Sequence, residues 1–118
     1  MKYMCLIYSD ESVFAKASKA EQEAGYGEYF AFTDSIRKSG NYVAGDALAP
    51  THTATAVRVQ NGKTQTTDGP FAETREQLGG YYIIQAKDLD EAVAIAARIP
   101  GARYGVVEVR PVLEMQNA

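Results

Sequence analysis

The stretch "TTDGPFAETREQLGGYYII", Thr66 to Ile84, holds three carboxylates and a guanidinium within nine residues: Asp68, Glu73, Arg75 and Glu76. On a short helix, Glu73 and Glu76 would share a face at i, i+3 spacing. Paired carboxylates in unlike environments can divide acid and base roles, which would suit proton transfer. The same residues also make a good corner. Asp68 can cap backbone N–H groups, Gly69 can take the extended conformation before a proline, and Pro70 suits a first helical turn. Phe71 and Leu78 would pack down, and Gly79-Gly80 would release the chain into the next strand. Read from residues alone, the corner is better explained as architecture than as chemistry.

Other reactive side chains are few. His52, the only histidine, follows Pro50 in a loop and reads as a solvated side chain, since one ligand makes no metal site. Cys5 lies in an apolar strand whose surroundings would raise its pKa, so it reads as a core residue. As the only cysteine it also excludes an internal disulfide. "GYGEYF" is half a dinucleotide fingerprint with no strand before it, and no Walker A, G-x-S-x-G or C-x-x-C occurs. Neither a cofactor nor a metal is expected. Glu108 and Arg110 read as an ion pair, and Tyr8, Tyr81 and Tyr82 as core or interface aromatics.

The elements that must position these groups follow from periodicity. "MKYMCLIYS" is a strand with apolar residues on both faces. Asp10 to Lys19 reads as polar and irregular. A helix is expected from about Ala20 to Ser39, with Tyr26, Tyr29, Phe30, Thr33 and Ile36 as its buried stripe. Gly40-Asn41 ends it, and "NYVAGDALAP" gives a short strand and loop. "TATAVRVQ" and "KTQTTD" flank Asn61-Gly62, a type I′ hairpin whose polar second strand should project or lie at an edge. "GGYYIIQA" is a second strand apolar on both faces. "DLDEAVAIAARI" is a helix with an Asp88–Glu91 capping box and a stripe of Leu89, Ala92, Val93 and Ala96. "YGVVEVRPV" is the last strand, with Pro111 at an edge or end.

That order is β-α-β, an inserted β-hairpin, then β-α-β. It predicts an α+β, ferredoxin-like split βαβ fold: an antiparallel sheet with two helices on one face. Two helices cover one face only, yet two strands are apolar on both. A second copy of the same sheet is the simplest cover, which predicts a homodimer through the sheet face.

The totals agree with a single domain spanning 1–118, without repeats, linkers or low-complexity stretches. A chain this long buries roughly 65% of its unfolded surface, enough for a core without staples. Twelve Lys and Arg stand against fifteen Asp and Glu. No basic stripe marks nucleic-acid contact or an anionic membrane surface. The apolar run at Met1–Tyr8 is too short for a signal peptide or membrane span, so a cytoplasmic protein is expected.

"MKYMCLIYSDES", the second half of the chain and above all "DGPFAETREQLGGYY" resemble the YCII-related family in its DGPF-domain branch. The resemblance implies a ferredoxin-like, dimeric α+β-barrel fold. It implies no settled reaction, although genes of the branch neighbour sigma-factor-like regulators and some wider relatives eliminate chloride from aromatic ring products. Shorter relatives carry a His on the first long helix and an Asp just before a Pro near the last strand. Those positions are Tyr29 and Ile99 here, so the dyad is missing; a phenol with a pKa near 10 does not replace imidazole as a neutral-pH base.

Three functions are therefore expected in turn. The first is binding of a small metabolite, aromatic or acidic, in a cleft between sheet and first helix. Asp68, Glu73 and Arg75 would be its polar contacts, Phe71 its apolar one, and Tyr29 and Tyr81 further walls. The second is a cofactor-free lyase or isomerase using Asp68 or Glu73 for proton transfer. The third is a non-catalytic accessory module of a sigma-factor-like regulator, without direct DNA contact.

Overall fold

The computed structural model describes residues 1–115. Four strands form an antiparallel sheet in the order β2-β5-β1-β6: β1 (Lys2–Ser9), β2 (Tyr42–Ala47), β5 (Gln77–Gln85) and β6 (Val106–Pro111). The helices are α1 (Glu11–Lys16), α2 (Lys19–Lys38) and α3 (Leu89–Ala96). A separate two-stranded hairpin, β3 (Thr55–Gln60) with β4 (Lys63–Asp68), is inserted between β2 and β5. This is the α+β, split βαβ arrangement expected from the order of elements.

The core lies on one sheet face. Tyr3, Cys5 and Ile7 of β1 and Tyr82 and Ile84 of β5 are buried against Phe32 and Ile36 of α2 and Ala92, Ile95 and Ala96 of α3. Alternation along the strands puts every second side chain there. One polar contact crosses this layer: the Thr33 and Tyr82 hydroxyls share a hydrogen bond at 2.7 Å.

The helices turn differently from the expected stripes. Phe32 is buried, whereas Tyr26 is half exposed and Phe30 is 73% exposed. Relative to Ile36, Phe32 sits roughly 40° around the helix and Phe30 roughly 120° away. Tyr26 packs on α1 instead, edge-to-face with Phe14 at 5.5 Å. On α3, Ile95 joins Ala92 and Ala96 inside, while Leu89 and Val93 are half exposed beside Val107 and Val109. Only part of the α3 capping box forms. Asp88 accepts from the Glu91 N–H at 2.9 Å, but the Glu91 carboxylate accepts from Lys87 N–H at 3.1 Å.

The segment expected to be irregular after β1 contains α1. Asp10 caps it, accepting from the Ser12 N–H at 3.0 Å. Six residues are too few to show a helical period in sequence. Ser18 then starts α2 through a full capping box with Glu21.

Met4, Leu6 and Tyr8 of β1 and Tyr81 and Ile83 of β5 point to the other sheet face, and none of them is buried. Across the strands, Asp46, Tyr81, Leu6 and Glu108 stand in one row. The Glu108–Arg110 ion pair expected from the sequence is present.

The hairpin is turned by Asn61 and Gly62, both at positive φ, as a type I′ turn requires. It projects, as expected, and of its twelve strand residues only Ala56 is even partly buried.

Candidate functional site

The DGPF corner joins β4 to β5. Asp68 is the last residue of β4, paired with Thr55, rather than a helix cap. Gly69 has a φ of 98°, a left-handed conformation that only glycine adopts freely, and not the extended one expected before proline. Its N–H donates to Ala54 O at 2.7 Å, which carries the hairpin pairing one step further.

No helix follows, so Glu73 and Glu76 do not share a helical face. Residues 70–76 run irregularly, tied by Gln77 Nε2 donating to Thr74 O at 2.6 Å. Phe71, expected to pack down, is 82% exposed, with the Arg58 guanidinium 5.6 Å from its ring centre.

A shallow cavity of about 320 Å³ opens beside this corner, lined by Thr51, His52, Pro70, Ala72, Glu73, Thr74 and Gln77. Its frame is made by two side chains. Gln77 Oε1 accepts from the Glu11 N–H at 3.0 Å, fastening the entry of β5 to α1. The Glu11 carboxylate in turn accepts from Thr51 N–H at 3.2 Å and from the Thr51 hydroxyl, fastening the His52 loop to the same point. Of the polar residues along this space, Thr51 and Gln77 are engaged in its frame, and Glu73 and His52 have exposed side chains available to a ligand.

His52 is solvent-exposed, as its place after Pro50 suggests, and it lines the same cavity as Glu73. A signal for this exists in the sequence. The Asn61-Gly62 turn sets a register in which Thr55 faces Asp68, and continuing it outward brings the residues around 52 and 71 together.

The six residues expected to form one ligand cleft fall in three places. Glu73 lines the cavity, and Asp68, Phe71 and Arg75 belong to the surrounding corner. Tyr81 is on the open sheet face, where its hydroxyl donates to Asp46 Oδ2 at 2.9 Å. That carboxylate holds the phenol above its ordinary pKa. Tyr29 is on the helix side, its hydroxyl accepting from the Gly101 N–H at 3.0 Å. A Cβ at Gly101 would come within 2.7 Å of that oxygen, so the pair is a fitted strut between α2 and the turn before β6. Burial raises the Tyr29 phenol while the Gly101 N–H lowers it. Ile99 is 1% exposed, a core residue. The positions of the missing dyad therefore hold packing groups.

Cys5 is buried, and desolvation pushes its thiol up to about 11. Among the described residues no group of three or more His, Cys, Asp and Glu is placed to hold a metal ion. No described helix is long and apolar enough to cross a membrane.

Two known proteins are similar to this chain, one in sequence and one in fold. The chain is 40% identical over 113 residues to an uncharacterised protein of Rhizobium meliloti (strain 1021), covering 94% of this chain and 91% of that one. Its fold is similar to 5-chloro-2-hydroxyhydroquinone dehydrochlorinase from Burkholderia phenoliruptrix AC1100, solved in complex with 2,5-dihydroxybenzoquinone. The TM-score is 0.58 at 10% identity, covering 98% of this chain and 96% of that one, a likeness of fold alone. Residues 1–116 match the YCII-related domain, and the chain belongs to that family.

Proposed function

We propose that the protein binds a small, planar, acidic or phenolic metabolite in the cavity beside the DGPF corner, as a member of the DGPF branch of its family. The observation that carries this reading is the convergence of His52 and Glu73 on one cavity whose walls are pinned by Glu11 and Gln77. Pinned walls lower the ordering cost of binding. The quinone held by the fold relative motivates the choice of an aromatic ligand.

A second reading is favoured by the same pair. A carboxylate and an imidazole beside one ligand can take a proton from a carbon next to a carbonyl and return it elsewhere, which is cofactor-free lyase or isomerase chemistry. In this reading Glu73 is the base and His52 the group that holds the developing oxyanion.

The proposed working form is a homodimer whose open sheet faces meet, since Met4, Leu6 and Ile83 form an apolar centre there.

A thermal-shift and calorimetric screen with hydroxylated benzoates and quinones tests the site. Ligand at a hundred times its Kd adds about 2.7 kcal/mol of stability. For a neutral phenol, Glu73→Gln and His52→Gln should each weaken binding about tenfold or more, the worth of a charged hydrogen bond, whereas an anionic benzoate should gain from the loss of the Glu73 charge. Binding equal to wild type in both variants would refute the site. Proton transfer, if present, should appear as deuterium uptake by the ligand that Glu73→Gln abolishes.

A further inference from the structure

The β3–β4 hairpin is an unsupported element. Two-stranded hairpins are marginal in water unless a face is covered. Here Val57 and Val59 are both 64% exposed. The register sorts its two faces sharply. Thr55, Val57 and Val59 face Asp68, Thr66 and Thr64, a surface that is uncharged except at its base. The opposite surface carries Arg58, Gln60, Gln65 and Lys63. Phe71 already stacks on the Arg58 side. The valine side is left uncovered.

The size of the uncovered surface indicates what covers it. The chain exposes 8590 Å², whereas a monomer of its 12.8 kDa exposes roughly 6300 Å². The surplus of roughly 2300 Å² exceeds the ~800 Å² per partner of a standard interface and matches an obligate homodimer. The shape agrees: a plate of 50 × 47 × 19 Å with a radius of gyration of 16.4 Å, against about 13.5 Å for a compact chain of this length.

We infer that the hairpin is a dimerisation arm, whose Val57–Val59 face seats on a second copy of this chain. The inference rests on the dimer proposed above and adds a second contact region to it. Two apolar surfaces of one chain, the open sheet face and the valine face, are both incompletely covered, and a two-fold pair can bury both by one operation. A functional consequence follows. His52 precedes β3 and Glu73 follows β4, so a seated arm sets the spacing of the cavity walls.

Amide hydrogen exchange with sedimentation on the full chain tests this. The expected result is a dimer in which the amides of Ala56–Gln65 are protected, with that protection lost on dilution below the dimer Kd. The variant Val57→Lys/Val59→Lys, which changes only exposed side chains, should keep its far-ultraviolet dichroism. Its self-association should be at least tenfold weaker, roughly the effect of leaving two valines unburied. A dimer whose hairpin amides exchange freely would overturn the arm while leaving sheet-face pairing intact. Unchanged self-association in the variant would overturn it too, and a monomeric wild type would overturn both.

Discussion

Cys5 shows how one side chain constrains the chemistry of the whole. Its thiol is 0% exposed and raised to about 11 by desolvation, so it is neither nucleophile nor redox sensor. The unfolded thiol ionises first, near pH 8.5. Stability from this group is therefore complete below about pH 8.5 and is lost as pH rises toward 11. The full effect is about 3–4 kcal/mol, at roughly 1.36 kcal/mol for each pH unit between the two. Denaturant titrations at pH 8 and pH 11 should show that loss in wild type and a smaller one in Cys5→Ala. Tyr29 and Tyr82, also raised by burial, supply the remainder. In the native state the thiol should resist a disulfide reagent at pH 8; rapid labelling would contradict its burial. At the same scale, neither Glu73 nor His52 carries a local signal that they line one cavity. The shared lining arises from the hairpin that folds their flanks together, and the corner's carboxylate spacing pointed instead to a helix where the chain over residues 70–76 is irregular.

Among the elements, strands and turns were legible and helix faces were not. Strand alternation and the Asn61-Gly62 turn are local rules with one solution each, and both hold. Helix α2 carries Tyr26, Tyr29, Phe30 and Phe32 around more than one side, so a period of 3.6 admits several stripes. Tertiary packing chose Phe32, with the Arg98 guanidinium 5.6 Å from its ring centre. The choice is measurable. Phe32→Ala should cost about 3–5 kcal/mol and Phe30→Ala about 0.5 kcal/mol or less. The reverse order, with Phe30→Ala the costlier change, would mean that α2 is turned as its sequence stripe suggests. Gly105 gives a second check on packing between elements. A Cβ there would lie 2.0 Å from Tyr8 O, so Gly105→Ala must push β1 and the start of β6 apart. A fall in thermal midpoint of several degrees is expected, and an unchanged midpoint would show that this approach is looser than described.

At the scale of the molecule, the sheet explains why two apolar strands sit side by side at its centre, β5 and β1. One side of each is covered by α2 and α3. The other side, with Met4, Leu6, Tyr81 and Ile83, is only partly buried by the described chain. The ferredoxin-like plan was legible because element order and two-sided strands leave few topologies. The relation of corner to arm was not, because it depends on how far the hairpin stands from the sheet. A seated arm also links ligand binding to pairing: ligand should tighten self-association by the same factor by which pairing tightens ligand.

Sedimentation velocity from submicromolar to tens of micromolar chain tests this picture most directly. It predicts one species at twice the 12.8 kDa of the chain, giving way to monomer only at the lowest concentrations. A single 12.8 kDa species across that whole range would contradict it, leaving the sheet's second face and the hairpin valines in water.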